Sequence, residues 1–166
     1  MHLRDLPNLT TLFLYEAPIT ETGLKCLVAL NRLITLNLYR TSVTNAGLDV
    51  LAGLKGLRSL NLGSTKVTDD RLPVLAALTE LTKLDLACTT VKGPGLAPLA
   101  VLKNLTELAL WSTQVTDAGL TYLTGLTGLT ALDLSNTAVT GSGFEHLAPL
   151  KRLTALKLYK VRVHDY

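Results

Sequence analysis

Asp85 and Asp133 are the two residues of this 166-residue chain whose spacing could set up catalysis. They stand 48 residues apart, two periods of a 24-residue repeat. With one strand per repeat that places them two strand spacings, about 10 Å, from each other, a separation that would let two carboxylates act as acid and base in a hydrolysis. Nothing around them completes such a centre, and they read better as exposed acids at unconstrained positions. His2 and His146 share one column of the repeat with Cys26, Val50, Val74, Pro98 and Tyr122, and His164 falls in another. The register sets no histidine beside a nucleophile, so all three read as surface histidines. Cys26 and Cys88 lie three strand spacings apart, about 14 Å, beyond the reach of a disulfide. Two free thiols favour a reducing, cytoplasmic compartment. No zinc-ligand spacing, glycine-rich phosphate loop or GxSxG is present. The chain therefore reads as a non-enzyme without cofactor or metal. Asn8-Leu9-Thr10 and Asn104-Leu105-Thr106 match the glycosylation pattern, but they are two instances of the phrase from which the repeat is built.

That repeat organises everything else. Leu9, Leu33, Leu57, Leu81, Leu105, Leu129 and Leu153 recur every 24 residues without an insertion. So do the series beginning at Leu12, Leu14, Ile19, Leu24, Leu3 and Leu6. Apolar columns held in register over the whole length are the mark of a stacked-repeat architecture. Within a repeat, Leu12 and Leu14 alternate with residues expected to be exposed, as in a short strand, whereas Leu24, Leu27 and Leu30 recur at every third position, as on one face of a short helical segment. Seven apolar side chains at roughly 1.5–3 kcal/mol each do not exceed the entropy of ordering 24 residues. A single repeat should be unfolded, and only stacking buries its leucines. Thr41, Thr65, Thr89, Thr113 and Thr137 form a polar column whose hydroxyls can bond the turn after the strand, or one another as a ladder. Thr20, Thr44, Thr68, Thr116 and Thr140 stand where helices should start, as N-caps. Glu21, Asp69, Asp70 and Asp117 follow them, which suits the positive end of a helix.

The pattern LxxLxLxxTxVTDAGLxxLxxL, running through nearly the whole chain, resembles the leucine-rich-repeat family in its bacterial-type variant, where Thr stands for the usual Asn. It is similar to the ribonuclease-inhibitor branch in having helical segments on the convex side, with shorter repeats. The resemblance implies an α/β fold: a right-handed horseshoe solenoid with a concave parallel β-sheet and short convex helices. It also implies protein recognition as the usual role, through exposed residues of that sheet. The reading is one domain over residues 1–166, with about six full repeats and partial ones at both ends. Departures have consequences. Lys92-Gly93-Pro94-Gly95 interrupts one cap, and Pro73, Pro98 and Pro149 fall in convex segments, which should be short or 3₁₀-like. Arg71 replaces a recurring glycine and should alter the local turn.

Residues beside the strand leucines form stripes across the concave face. One is Phe13, Asn37, Asn61, Asp85, Ala109, Asp133, Lys157; the next is Tyr15, Tyr39, Gly63, Ala87, Trp111, Ser135, Tyr159; a third runs from Glu16 and Arg40 to Lys160. These columns vary where the leucines do not, and the second holds the only tryptophan. Exposed aromatics and arginine often anchor interfaces. Phe13, Tyr15, Tyr39, Arg40, Asp85, Trp111, Asp133 and Tyr159 are therefore the candidate partner-binding residues. The competing reading is that the aromatics shield strand ends. About 14 Å between Tyr39 and Trp111 suits a protein or peptide better than a small molecule.

Charge narrows the partner. The net charge is +3, and Arg40, Lys83, Lys157 and Lys160 are offset by Glu16, Asp85, Glu107 and Asp133, which does not make a phosphate-tracking groove. Arg32, Lys55, Lys103, Lys151 and Arg152 follow the helices, giving one basic edge opposite the acidic one, as helix dipoles favour. No nucleic acid is expected. No membrane span is expected either, because no run of about 18 apolar residues occurs, and the start lacks a secretory signal. Both ends look cut: Met1–Leu6 is the tail of a repeat, Val163 and Asp165 begin another, and the last strand offers an open edge. This suggests a fragment of a longer protein, or end-to-end self-association. The leading expectation is a non-catalytic protein-interaction module. The alternatives are the recognition arm of an enzyme complex, such as a ubiquitin ligase or bacterial effector, and a structural solenoid.

Overall fold

The computed structural model describes residues 3–162; His2, Val163, His164 and Asp165 lie outside the described residues. Seven three-residue strands follow the leucine columns: β1 (Thr11–Phe13), β2 (Thr35–Asn37), β3 (Ser59–Asn61), β4 (Lys83–Asp85), β5 (Glu107–Ala109), β6 (Ala131–Asp133) and β7 (Ala155–Lys157). They form one parallel sheet in sequence order. Each pairing joins residues one repeat apart, such as Leu84 with Leu108 and Asp85 with Ala109. The 24-residue period is thus the register of the sheet.

The leucines are buried as expected. Leu36, Leu60, Leu84, Leu108 and Leu132, one from each inner strand, are at most 2% exposed. Protection fails at the two ends, where Leu12 is half-buried and Leu156 is 39% exposed. Each strand then runs into a tight turn. Its next residue but two adopts a left-handed backbone in every repeat: Glu16, Arg40, Ser64, Cys88, Ser112, Asn136 and Lys160, with φ from 53° to 58°. None is a glycine, so the turn is held against a local steric cost by what surrounds it. The threonine column does part of that work. Thr41, Thr65, Thr89, Thr113 and Thr137 donate their hydroxyls to the carbonyls of Leu38, Leu62, Leu86, Leu110 and Leu134 at 2.6–2.7 Å. Each bond closes within its own repeat, so the expected ladder between threonines is replaced by a series of separate clamps.

Across from the sheet, α1 (Glu21–Lys25), α2 (Asn45–Leu51) and α3 (Asp117–Leu120) are short α-helices. The segments Asp69–Ala77, Pro94–Val101 and Gly141–Leu147 are 3₁₀. The first two carry Pro73 and Pro98 inside them, as the loss of a helical N–H predicts. Pro149 lies past the end of the third, which is 3₁₀ without an internal proline. Thr20, Thr44 and Thr68 cap their helices through the side chain, while Thr116 and Thr140 make no such bond. Arg71 reaches back to Asp49 at 2.7 Å.

Both charged edges are fastened more directly than dipoles require. On the acidic edge, Asn45 accepts the Thr68 N–H at 2.9 Å, Asp69 that of Lys92 at 3.0 Å and Asp117 that of Thr140 at 2.6 Å. On the basic edge, Lys103 donates to the Gly125 carbonyl at 2.9 Å and Lys55 to that of Ala77 at 3.4 Å. Each bond crosses from one repeat to the next.

Candidate functional site

A strand alternates its faces, so Glu107, Ala109 and Trp111 of one repeat project on the same, open side of the sheet. The register puts Ala109 directly between Asp85 on β4 and Asp133 on β6. A methyl group surrounded by longer side chains leaves a hollow. It measures about 370 Å³, with Leu84, Leu108 and Leu132 beneath and Asp85, Asp133, Glu107 and Trp111 around it. Lys83 and Lys157 stand at its rim.

The two aspartates are tied down at their inner oxygens. Asp85 Oδ1 accepts the Ala87 N–H at 2.9 Å, and Asp133 Oδ1 accepts that of Ser135 at 3.0 Å. Asn37 and Asn61 do the same for Tyr39 and Gly63, each at 2.8 Å. This column therefore closes the turn after each strand, as short Asx side chains do. Asp85 and Asp133 are half-buried, so their sites are constrained, contrary to the reading from sequence. Burial pushes the Asp85 carboxyl above its ordinary value; the Ala87 N–H draws it down, the Asp133 charge pushes it up and the Asn61 amide draws it down. The Asn61 amide donates to its Oδ2 at 3.1 Å. Asp133 Oδ2 lies 3.8 Å from Lys157 Nζ, and Glu107 Oε1 lies 2.7 Å from Lys83 Nζ. Both lysines are largely in solvent, where such pairs contribute little and open readily.

Of the residues expected to bind a partner, Asp85, Trp111 and Asp133 share this hollow. The others are spread along the sheet. Phe13 and Tyr15, at the β1 end, are 59% and 62% exposed, and Tyr159, beyond β7, is 71% exposed. Its ring lies 5.4 Å from Lys160 Nζ. Arg40 is engaged by Glu16 at 2.8 Å. Tyr39 is half-buried, because its ring lies over Gly63: a Cβ there would meet Tyr39 Cδ2 at 3.0 Å. For Tyr39 the shielding role is real. Sequence reasoning did not single out Ala109, although the signal was present as a break in the Asn/Asp column between two aspartates.

Cys26 and Cys88 are free thiols. His146 lies 3.8 Å from Glu145. Among the described residues, no group of three or more His, Cys, Asp or Glu side chains could hold a metal ion, and no helix is long and apolar enough to cross a membrane.

Residues 77–100 match the family model described as Leucine Rich repeat. No curated protein matches the chain. Among solved structures, internalin C2 of Listeria monocytogenes is 28% identical, with a TM-score of 0.73 over 97% of this chain and 76% of that one. Another internalin of the same species, inlF, is 22% identical, with a TM-score of 0.65 over 98% of this chain and 52% of that one, so the present chain spans about half its length. The Arabidopsis receptor kinase HAESA is 19% identical, with a TM-score of 0.69 over 91% of this chain and 26% of its own.

Proposed function

Because the chain is a leucine-rich-repeat protein, we propose that it is a non-catalytic binding module that takes a protein or peptide on the open, concave face of its sheet. The observation that carries this reading is the contrast between columns. Core positions repeat almost without variation, while the face around Ala109 departs from the pattern to make a hollow floored by leucines and walled by an indole and three carboxylates. Polar groups converging on a concavity with an apolar floor are what a recognition site needs. The exposed Phe13, Tyr15 and Tyr159 extend the same face beyond the hollow. The solved receptor kinase HAESA, similar in fold, is in complex with a peptide hormone and a co-receptor, a use of the architecture consistent with this one.

The test is affinity capture with three proteins of matched folding: wild type, Tyr15→Ala/Trp111→Ala on the open face, and Tyr122→Ala on the helical side as control. A partner retained by the control and lost by the double variant is the expected result. Equal retention by both variants would remove the sheet face from the reading.

A further inference from the structure

The geometry points to the hollow over Ala109 as the receptor for one arginine side chain of an extended peptide partner. This rests on the binding-module reading and adds the chemistry of what is bound.

Three features of the hollow converge on an organic cation. Its walls carry three carboxylates, on Asp85, Glu107 and Asp133, against two cations, Lys83 and Lys157, among the described lining residues, so the lining keeps a net negative charge. The fourth wall is the Trp111 indole, whose face attracts a guanidinium. The carboxylates are too dispersed to act as one metal site. Asp85 and Asp133 flank Ala109 on the two adjoining strands, so carboxyls face the hollow from two sides, an arrangement that a planar group with several diverging N–H donors answers better than a point cation.

Free acceptor capacity is also in the right place. Asp85 uses Oδ1 for the Ala87 N–H and Oδ2 for the Asn61 amide, yet a carboxylate oxygen accepts two bonds. Its second lone pairs remain for a ligand. Among the described residues no cationic side chain forms an ion pair with Asp85, whereas the other two acids have Lys83 and Lys157. Those exposed lysines can turn aside at little cost. Burial disfavours the lone negative charge of Asp85 in the free protein, and a guanidinium entering beside it would relieve that penalty. The volume, about 370 Å³, is at the small end of ligand sites and suits one side chain with part of its backbone rather than a folded surface.

The experiment is selection of random linear peptides on the full chain, followed by affinity measurement. Enriched peptides are expected to share an arginine. Replacing it with citrulline, which keeps the shape and removes the charge, should weaken binding about tenfold or more. Asp85→Asn should cause a comparable loss with the arginine peptide and almost none with the citrulline peptide. Asp85→Asn preserves the acceptor for Ala87, as Asn61 does for Gly63, so it should fold. Ala109→Leu, which fills the hollow, should block both peptides. Peptides blocked by Ala109→Leu but indifferent to citrulline or to Asp85→Asn would overturn the arginine assignment and leave the binding face standing. Peptides indifferent to Ala109→Leu and to Tyr15→Ala would overturn both. No enrichment at all would count against the peptide-arginine assignment, while the capture experiment still judges the face.

Discussion

Asp117 accepts two hydrogen bonds from Thr140, one from the backbone N–H and one from the hydroxyl, each 2.6 Å long. The pair joins the start of one helical segment to the start of the next, and the Ser142 hydroxyl adds a third bond at 2.8 Å. Asp117 thus does more than balance a helix end; it fastens two repeats.

The first prediction concerns this fastening. Burial pushes the Asp117 carboxyl up, but the Thr140 hydroxyl and N–H, the Ser142 hydroxyl and the His146 charge together hold it below its ordinary value of 3.8. A depressed folded-state value means that the unfolded chain binds the proton more readily. The contribution is therefore complete above about pH 4, the unfolded range, and is lost as the pH falls through the depressed value. Asp117→Ala should cost about 1–2 kcal/mol at pH 7, read from urea midpoints. Asp117→Asn should cost less, because Asn45 already accepts the equivalent Thr68 N–H. A loss from Asp117→Ala that is the same at pH 7 and pH 2.5 would show that the carboxylate bonds are not its source.

The contrast between Asp117 and the leucines shows what sequence could and could not carry. Leu60, Leu84 and Leu108 were legible because burial depends on residue type, and the period gives type its place. The 3₁₀ segments at Pro73 and Pro98 were legible because proline acts on its own backbone. The bonds of Asp69, Lys103 and Asp117 were not, because their partners lie in the next repeat and depend on how far the turns advance. The hollow was half legible. Its walls Asp85, Trp111 and Asp133 stood out as chemistry-bearing residues, while its defining feature, Ala109, is conspicuous only by lacking a side chain among longer neighbours.

A second prediction follows from a gap in the acidic column. Gly93 occupies the position held by Asp69 and Asp117 in adjacent repeats. A Cβ there would lie 2.8 Å from the Gly119 Cα, which is backbone and cannot swing away. Gly93→Ala should lower stability by about 1–3 kcal/mol. Gly93→Asp should lose at least as much, although it supplies the missing acid. Should Gly93→Asp instead raise the urea midpoint, the fastening bond would outweigh the close approach.

The left-handed turn positions give a third. Ser64, at φ 53°, adopts a backbone that only glycine takes without steric cost. Ser64→Gly relieves that cost while enlarging the freedom of the unfolded chain, and the balance should favour the folded state by up to about 1 kcal/mol. Ser64→Val, branched at Cβ, should lose about 1–3 kcal/mol. Thermal midpoints of the two variants should fall on opposite sides of wild type; a higher midpoint for Ser64→Val than for Ser64→Gly would contradict the strain assignment.

The last prediction separates stability from binding at Asp85. Burial raises its folded-state value above the ordinary 3.8. A raised value means that the folded protein holds the proton more tightly than the unfolded one, so stability falls as the pH climbs through that window. Once ionised, Asp85 is a net burden on the fold. Asp85→Asn removes the charge and keeps the acceptor for the Ala87 N–H, giving up the bond that Oδ2 accepts from the Asn61 amide; Asn37 and Asn61 already sit side by side in this column. The variant should be more stable than wild type at pH 7, and the advantage should shrink as the pH falls through the raised value and be gone below about 4, where the wild-type carboxyl is protonated in both states. Urea midpoints of the two proteins across that range read the difference directly. A less stable variant at pH 7 would mean that the bonds to Asp85 outweigh its desolvation. A more stable one that has also lost the arginine peptide would mark Asp85 as a residue that serves binding at the expense of the fold.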